Sequence, residues 1–320
     1  MADKKNVNNI KIPKRRRRRR FSPIPFFITL FILLAAFCVL TLLDLSGIIE
    51  LPWNHKRETY TVTDGTVEIH MIDVGQGDSI LIMAPAGNIL VDAGENDPES
   101  ERKLKTYLDG LGIKTIDYFI ITHHDSDHIG GADMILETYS VGTVIIEEYY
   151  YENETGVYRD YTEALVKSKD TKTMDPDVGE KMTVGELHLK FLGPTERFDE
   201  KNNDSIVVRL DFGENSIMMT GDAEVEAEKA IVSTYSVAEL DCDVLKVGHH
   251  GAKTSTTEAF LSSVSPEYAL ISCGEGNKYG HPKSEIISRL TKAGANIHRT
   301  DKTGNIVLVF NGKDITVKDE

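Results

Sequence analysis

From residue 67 onward, short apolar runs recur with two different periods. Val67 to Asp73 (Val-Glu-Ile-His-Met-Ile-Asp) alternates with the period of two that predicts a strand. Ser79 to Met83 and Asn88 to Val91 predict two more strands, separated by the turn residues Pro85-Ala86-Gly87. Asp97 to Leu111 predicts a helix, with Leu104, Leu108 and Leu111 on one face. Tyr118 to Thr122 reads as a buried strand, Gly130 to Glu137 as a helix and Val144 to Ile146 as a short strand. The pattern blurs over residues 147–180, which read as loop and helix with exposed rings at Tyr149, Tyr150 and Tyr151. It restarts with strands at Leu187 to Leu192, Ser205 to Asp211 and Ser216 to Thr220, and a helix at Ala223 to Tyr235. Strands at Val244 to Val247 and Tyr268 to Ser272 alternate with helices at Thr257 to Val264 and Ser284 to Ala293. Ile306 to Phe310 and Asp314 to Val317 predict the last strands. Two batches of strands, each followed by helices, predict an α/β fold of two face-to-face sheets with helices outside.

The N-terminal region follows another rule. Phe21 to Leu43 carries no charge until Asp44, long enough to span a bilayer core of roughly 30 Å as a helix. Lys14 and Arg15 to Arg20 precede it directly. The positive-inside rule places that basic block in the cytosol and the rest of the chain outside it. The expected organisation is a cytosolic basic segment (1–20), a single transmembrane helix (21–43), a linker (44–65) and a soluble domain (66–320). A cleaved signal peptide is the rival reading, but the apolar run is long and lacks a small-x-small exit. Phe37 before Cys38 stands where a lipoprotein cleavage site needs a small residue.

Charge reinforces this division. Residues 1–58 hold 12 of the 36 Lys and Arg but 4 of the 51 Asp and Glu, so the remainder carries a net charge of −23. An acidic domain behind a basic block abutting an apolar span suits a membrane anchor better than a nucleic-acid arm. It also argues against broad nonspecific DNA affinity, which rests on Lys and Arg. Cys242 and Cys273 either pair in an oxidising compartment or stay buried thiols.

Ligand-type residues concentrate where predicted strands end. Thr122-His123-His124-Asp125-Ser126-Asp127-His128-Ile129-Gly130-Gly131 packs imidazoles and carboxylates into one loop, the groups that borderline and hard divalent ions prefer. Asp222 follows Met218-Met219-Thr220-Gly221, His249-His250 follows Leu245-Lys246-Val247-Gly248, and His281 lies in Tyr279-Gly280-His281-Pro282. Any one of these is weak alone; Asp222 by itself reads as a helix cap and His281 as a loop histidine. Together they predict a metal site assembled from several strand ends. His70 and His188 fall within predicted strands and read as structural, whereas His55 and His298 carry no signal.

The segment His123-x-Asp125-x-Asp127-His128-x-Gly130-Gly131 resembles the signature loop of the metallo-β-lactamase superfamily. Within it the chain most resembles the hydrolase domain of ComEC-type competence DNA-uptake proteins. Shared elements extend over most of residues 67–310, including Ile72-Asp73-Val74-Gly75-Gln76-Gly77-Asp78-Ser79, Leu90-Val91-Asp92-Ala93-Gly94 and Thr220-Gly221-Asp222-Ala223-Glu224. They continue through Leu245 to Ser255 and Tyr279 to Pro282. The resemblance implies a four-layer αββα sandwich with a two-metal site at the sheet edges. The chain shows one apolar span where those proteins have many, so the resemblance carries hydrolase chemistry and not a DNA channel.

By family position, His123 and Asp125 would hold one ion, Asp127 and His128 the other, and Asp222 would bridge them. His249 is the expected further ligand, with His250 and His281 as rivals for that place or as substrate contacts. Asp127 and Asp222 are thereby the expected catalytic pair, acting around a metal-bound hydroxide. Asp125 stands where the superfamily usually has histidine, and its oxygen should widen tolerance from Zn²⁺ toward Mn²⁺ or Mg²⁺. The family's third-motif histidine is missing. Asn202-Asn203-Asp204-Ser205 occupies that region, leaving Asp204, an Asn or water for the role.

Lys253 and Ser255 are candidates to hold a phosphate oxygen, against the plainer readings of solvated loop and helix cap. Gln76 and Asp78 are candidate substrate contacts from the first family segment, and Asp73 and Asp92 candidate supports for the ligands. The expected activity is a membrane-anchored, extracytoplasmic, two-metal (Zn²⁺ or Mn²⁺) phosphodiesterase or nuclease acting on DNA or RNA. The alternatives are a hydrolase of cell-wall or lipid phosphoesters, phosphorylcholine esterase-like, and a binding domain with a vestigial site.

Overall fold

Period-two alternation sends Ile80 and Ile82 to one face of a strand and Leu81 and Met83 to the other, and both faces are buried. A strand covered on both sides belongs to the inside of a layered fold. The structure, a computed structural model, describes residues 30–39, 60–147 and 155–319. The chain divides into two units, residues 1–57 and residues 58–320. In the first, residues 30–39 are helical with exposed side chains. Among the described residues no helix is long and apolar enough to cross a membrane. Much of the expected span from Phe21 to Leu43, and the rings Tyr149 to Tyr151, lie outside the described residues.

The second unit holds two sheets. In chain order, the strands begin with β1 (Val67–Met71), β2 (Ile80–Ala84), β3 (Gly87–Val91), β4 (Thr115–Ile120), β5 (Ser140–Ile145) and β6 (Lys172–Met174). They continue with β7 (Lys181–Val184), β8 (Leu187–Gly193), β9 (Val207–Phe212), β10 (Asn215–Met219), β11 (Val244–Lys246) and β12 (Tyr268–Ile271). The last are β13 (Asn296–Arg299), β14 (Ile306–Phe310) and β15 (Ile315–Asp319). One sheet runs β15-β14-β1-β2-β3-β4-β5-β6 and the other β13-β12-β11-β10-β9-β8-β7. Hairpins join β1 to β2 to β3, whereas β3-β4-β5-β6 and β10-β11-β12-β13 pair in parallel.

Three apolar clusters separate four layers. Ile69, Ile82, Val91, Leu189, Phe191, Leu210, Ile217 and Leu308 fill the space between the sheets. Leu81, Leu90 and Phe119, on the opposite face of the first sheet, pack against Leu104 and Leu108 of helix Pro98–Gly110. Met218, Leu245 and Ala269 meet Phe260 and Ile286, which come from helices Glu258–Val264 and Ser284–Ala293. The αββα sandwich thus follows from alternation, since each strand supplies one face to the sheet interface and one to a helix layer.

Three strands escape the sequence pattern. β6, β7 and β13 are short and lie at sheet edges, so exposed residues such as Lys172, Lys181 and Asn296 blur the alternation. β4 begins three residues before its expected start, because Ile116 packs outward under the helices. Cys242 and Cys273 are buried free thiols rather than a disulfide, and burial pushes each up to about 12.

His70 on β1 sits in a polar pocket inside this frame. Its Nδ1 lies 2.9 Å from the Tyr107 hydroxyl and its Nε2 3.3 Å from Glu68. Burial pushes its pKa down to about 4, against the opposing pull of Glu68. The folded chain therefore keeps His70 neutral while an unfolded chain protonates it near pH 6.5. Between those values the unfolded state binds more protons, so stability falls as pH falls. From pH 7.5 to pH 4.5, metal-free wild type should lose about 2 kcal/mol more than His70→Gln in urea melts. Equal losses would remove His70 as the cause.

Candidate metal centre

The centre is built at the C-terminal ends of β4, β10 and β11. β4 leads through Ile121 to Thr122, whose backbone N–H and hydroxyl both donate to Asp92, at 2.8 Å each. The Asp125 carbonyl then accepts from His128 N and Ile129 N, closing one helical turn over Ser126–Ile129. That turn carries His128 inward to full burial and leaves the Asp125 side chain about half exposed. Two glycines let other backbone press against this loop. A Cβ on Gly77 would sit 2.2 Å from the Asp127 carbonyl, and one on Gly130 2.2 Å from Asn96 N. Gly77 also has φ +113, which side-chain-bearing residues rarely adopt.

Asp127, His128, Asp222 and His250 bring one potential ligand atom each within 4.8 Å of one another. Asp222 Oδ1 is 3.1 Å from His128 Nε2, and Asp222 Oδ2 is 3.5 Å from His250 Nε2. Asp127 Oδ2 lies 3.2 Å from His250 Nε2. His123 lies alongside, its ring centroid 4.2 Å from that of His128 and its Nε2 4.0 Å from Asp125.

Each histidine is held from behind. His128 Nδ1 meets Asp92 at 2.8 Å, and His250 Nδ1 donates to the Ser272 carbonyl at 3.0 Å. His249 Nδ1 meets Glu224 at 2.9 Å, and His123 Nδ1 the Thr122 hydroxyl at 3.2 Å. A protein partner on Nδ1 orients Nε2 toward the centre, as in metal-ligating histidines generally.

The inward atoms provide the test of fit. Nε2 of His123, His128 and His250 and Oδ1 of Asp222 are buried and make no well-formed hydrogen bond, although His128 Nε2 and His250 Nε2 face carboxylate oxygens at 3.1 and 3.2 Å. An unpaired buried polar atom costs about 1–3 kcal/mol, and several converging on one point call for a common partner. A divalent cation suits this mixed imidazole and carboxylate set.

Electrostatics agree. Burial disfavours the charged form of His250, yet Asp222 and Asp78 outweigh it and push its pKa up to about 10. His128 is likewise raised well above its ordinary range by Asp222 and Asp92, against its own burial. Asp222 and Asp127 fall below the usual carboxylate range, because the neighbouring histidines overcome burial. Without an ion, the carboxylates draw protons onto the imidazoles. With one, those protons must leave, so metal binding is linked to pH.

The placement of the other expected residues sharpens the set. His249 and His250 have left-handed backbone conformations, φ +47 and +52, and their rings stand edge to face with centroids 6.1 Å apart. His250 joins the buried four-ligand group, whereas His249 keeps a quarter of its side chain exposed, with Nε2 3.6 Å from Asp222. Both rings thus bring Nε2 to Asp222 Oδ2, at 3.6 Å for His249 and 3.5 Å for His250, and His250 is the more deeply buried of the two candidates for the further ligand. His281 stands edge-on to His249, ring centroids 5.7 Å apart, at the rim. Burial and the positive neighbours His249 and His250 push its pKa down to about 4.

Asp78, a candidate substrate contact, is buried in an ion pair with Lys246 at 2.5 Å. Ser255 is also buried, and its hydroxyl donates to the Ala223 carbonyl at 2.8 Å. Lys253 is exposed on the same loop. Gln76 accepts from Gly274 N at 3.4 Å. Asp73 turns away from the centre to pair with Lys103 at 3.2 Å and shapes the following turn through Gly75 N. Asp92 stays beneath the ligand loop.

The region of the missing third motif has a structural use. Asn203 Oδ1 accepts from Glu224 N and Ala227 N at the start of helix Val225–Thr234, and Ser205 Oγ accepts from Asp222 N. Asp204 faces Phe198 N and Arg197 instead of the centre. His124 lies against the Tyr158 ring, centroids 4.6 Å apart. Sequence reasoning gave no role to Lys246 or Glu224. A lysine between Leu245 and Val247 in an otherwise apolar strand was the available signal.

The model of the metallo-beta-lactamase superfamily matches residues 72–275. The chain is 34% identical over 259 residues to ComE operon protein 3 of Bacillus subtilis (strain 168), covering 75% of this chain and 32% of that protein. It is 33% identical over 251 residues to Recombination protein 2 of Haemophilus influenzae, covering 77% and 29%. The chain thus spans about a third of the length of the curated relatives it matches. Among solved structures, the metallo-beta-lactamase fold protein YhfI from Bacillus subtilis aligns with TM-score 0.51 and 12% identity, over 76% of this chain and 99% of that one. CmlA, a diiron β-hydroxylase from Streptomyces venezuelae, aligns with TM-score 0.52 and 13% identity, over 76% and 54%. At these identities the likeness is one of fold alone.

Proposed function

The chain belongs to the metallo-β-lactamase superfamily and is related to ComEC-type competence proteins, and from that premise we propose that it is a metal-dependent hydrolase of phosphodiesters. The observation that carries this reading is the convergence of buried ligand atoms from His123, His128, His250 and Asp222, none of them in a well-formed hydrogen bond. A vestigial binding site has no reason to keep such atoms buried and unsatisfied at a cost in stability.

Asp127, His128, Asp222 and His250 are the proposed ligands of one ion. His123 and Asp125, with Asp222 shared, are the proposed ligands of a second. Bound Zn²⁺ or Mn²⁺ would supply acidified water near neutral pH and would offset negative charge on the reacting oxygens. The chain's own groups set the geometry. Asp92, Ser272 and Glu224 fix the imidazole orientations from behind, and Ser205 fixes the Asp222 backbone. His281, half-buried at the rim with its backbone N–H bound to Asn277, is placed to donate to a phosphoryl oxygen. The half-exposed Asp125 marks the side from which a diester approaches.

The proposed location is the outer face of a membrane, with residues 21–43 as anchor and Arg15 to Arg20 in the cytosol. Its support is the uncharged run and the basic block before it.

The full chain with Mn²⁺ or Zn²⁺ should hydrolyse bis(p-nitrophenyl) phosphate and lose that rate in chelator. Single-stranded DNA, RNA and phosphorylcholine esters compared on one preparation rank the natural substrate classes. A metal-independent rate, or none on any diester, removes the phosphodiesterase reading. External protease should digest the C-terminal unit in intact cells; protection until lysis reverses the topology.

A further inference from the structure

Beneath the proposed centre lies a second acidic cluster that already contains a cation. Asp78, Asp92 and His128 place potential ligand atoms within 4.8 Å of one another, all buried. Such a group could itself take a divalent ion. Instead, the Lys246 ammonium sits 2.5 Å from Asp78 Oδ2 and 3.4 Å from the Gly221 carbonyl. Lys246 is 1% exposed, on a strand whose other residues, Val244 and Leu245, are core. A buried lysine is rare without a partner, and this one has a single carboxylate. Asp78 in turn reaches the back of His250, Oδ1 to Nδ1 3.3 Å, and lies 3.9 Å from His128 Nδ1.

Local charge gives the arrangement a purpose. Asp78 and Asp92 flank His128 Nδ1, whose imidazole is neutral when it ligates metal, and Lys246 is the cation set among them. We propose that Lys246 is a positioning residue that occupies the cation place beside Asp78, excludes a metal ion from the Asp78–Asp92–His128 cluster, and confines metal to the neighbouring ligand group. The inference rests on the metal-centre reading and adds to it a device against mis-metallation. A divalent ion beside Asp78 would draw His128 toward Asp92 and Asp78 and away from Asp222. The ammonium holds Asp78 behind His250 without offering an open coordination position.

The test counts Mn²⁺ per folded chain by elemental analysis after desalting, in wild type, Lys246→Ala and Lys246→Ala/Asp78→Asn. Lys246→Ala should retain one more ion than wild type, and the added Asp78→Asn should return the count to the wild-type value. Equal counts in wild type and Lys246→Ala overturn the inference, as does an extra ion that persists in the double variant. If Lys246→Ala is unfolded without metal, refolding it in Mn²⁺ decides, because the ion should replace the ammonium; failure to refold there overturns the inference. Thermal melts give an independent readout. Metal-free Lys246→Met, which keeps the stem and drops the charge, should melt roughly 10 °C below wild type, and Lys246→Met/Asp78→Asn should regain most of that loss. A double variant as unstable as Lys246→Met overturns the pairing. A wild type that binds no ion at all overturns the metal-centre reading itself, separately from these differences.

Discussion

Asp222→Ala is expected to abolish metal-dependent hydrolysis and to strip the protein of tightly held ion. Asp222 faces three of the converging imidazoles at once. Its carboxylate lies 3.1 Å from His128, 3.5 Å from His250 and 3.6 Å from His249, and is 3% exposed. The surrounding turn leaves no room for a substitute. Gly221 has φ +50, and a Cβ there would press within 2.8 Å of the Thr122 hydroxyl. Losing a shared ligand removes several kcal/mol of charge stabilisation, on the order of a 10³-fold or greater fall in rate. Initial rates on bis(p-nitrophenyl) phosphate, with bound Mn²⁺ and Zn²⁺ measured on the same samples, check both halves. Equal rates in wild type, Asp222→Ala and His128→Ala would sink the assignment. A rate loss with full metal retention would instead move Asp222 from ligand to substrate contact.

The second large effect separates two histidines that are neighbours in the chain. His250→Ala should weaken metal binding by on the order of 10³-fold, as expected for a lost imidazole ligand in a closed set. His249→Ala should cost only about 10- to 100-fold, the range for groups that support or flank a site. The physical basis is burial and aim. The His250 ring is 1% exposed, anchored by Ser272, with Nε2 between Asp127 and Asp222. The His249 ring is a quarter exposed and held by Glu224, itself fixed by the Thr254 hydroxyl at 2.8 Å. Chelator competition at pH 7.5 measures both, with Glu224→Gln expected to follow His249→Ala. Equal losses in the two alanine variants would make His249 a ligand of the same standing.

Much of the fold was legible because alternation is a local property. Strands such as Val67–Met71 and Ile306–Phe310 bury both faces and read clearly as apolar runs. Helix Pro98–Gly110 shows its cap at Asp97, whose carboxylate accepts from Glu99 N and Ser100 N, and its stripe at Leu104 and Leu108. The edge strands β6, β7 and β13 were not legible, because a short strand with exposed residues and one neighbour does not need an apolar pattern. The ligand loop was legible for a different reason: its imidazoles and carboxylates cluster within a few positions. The partners of Ser255 and Asp78, Ala223 and Lys246, were not legible, because nothing local in the sequence says which distant group a polar residue beside a motif will meet.

By itself the sequence determined the layered α/β class, the ligand loop from His123 to His128 and the candidate partners at Asp222, His249-His250 and His281. These depend on periodicity and residue chemistry, which need no knowledge of distant contacts. The tertiary structure alone decided how deeply each of two adjacent histidines is buried at the centre. Left-handed backbone at His249 and His250 brings both Nε2 atoms to Asp222, and only the packing around the end of β11 makes His250 the inner one. It also decided that Lys246 meets Asp78, 168 positions earlier in the chain. A buried charge is tolerable only beside its counter-charge, and where that counter-charge stands is a property of the folded chain.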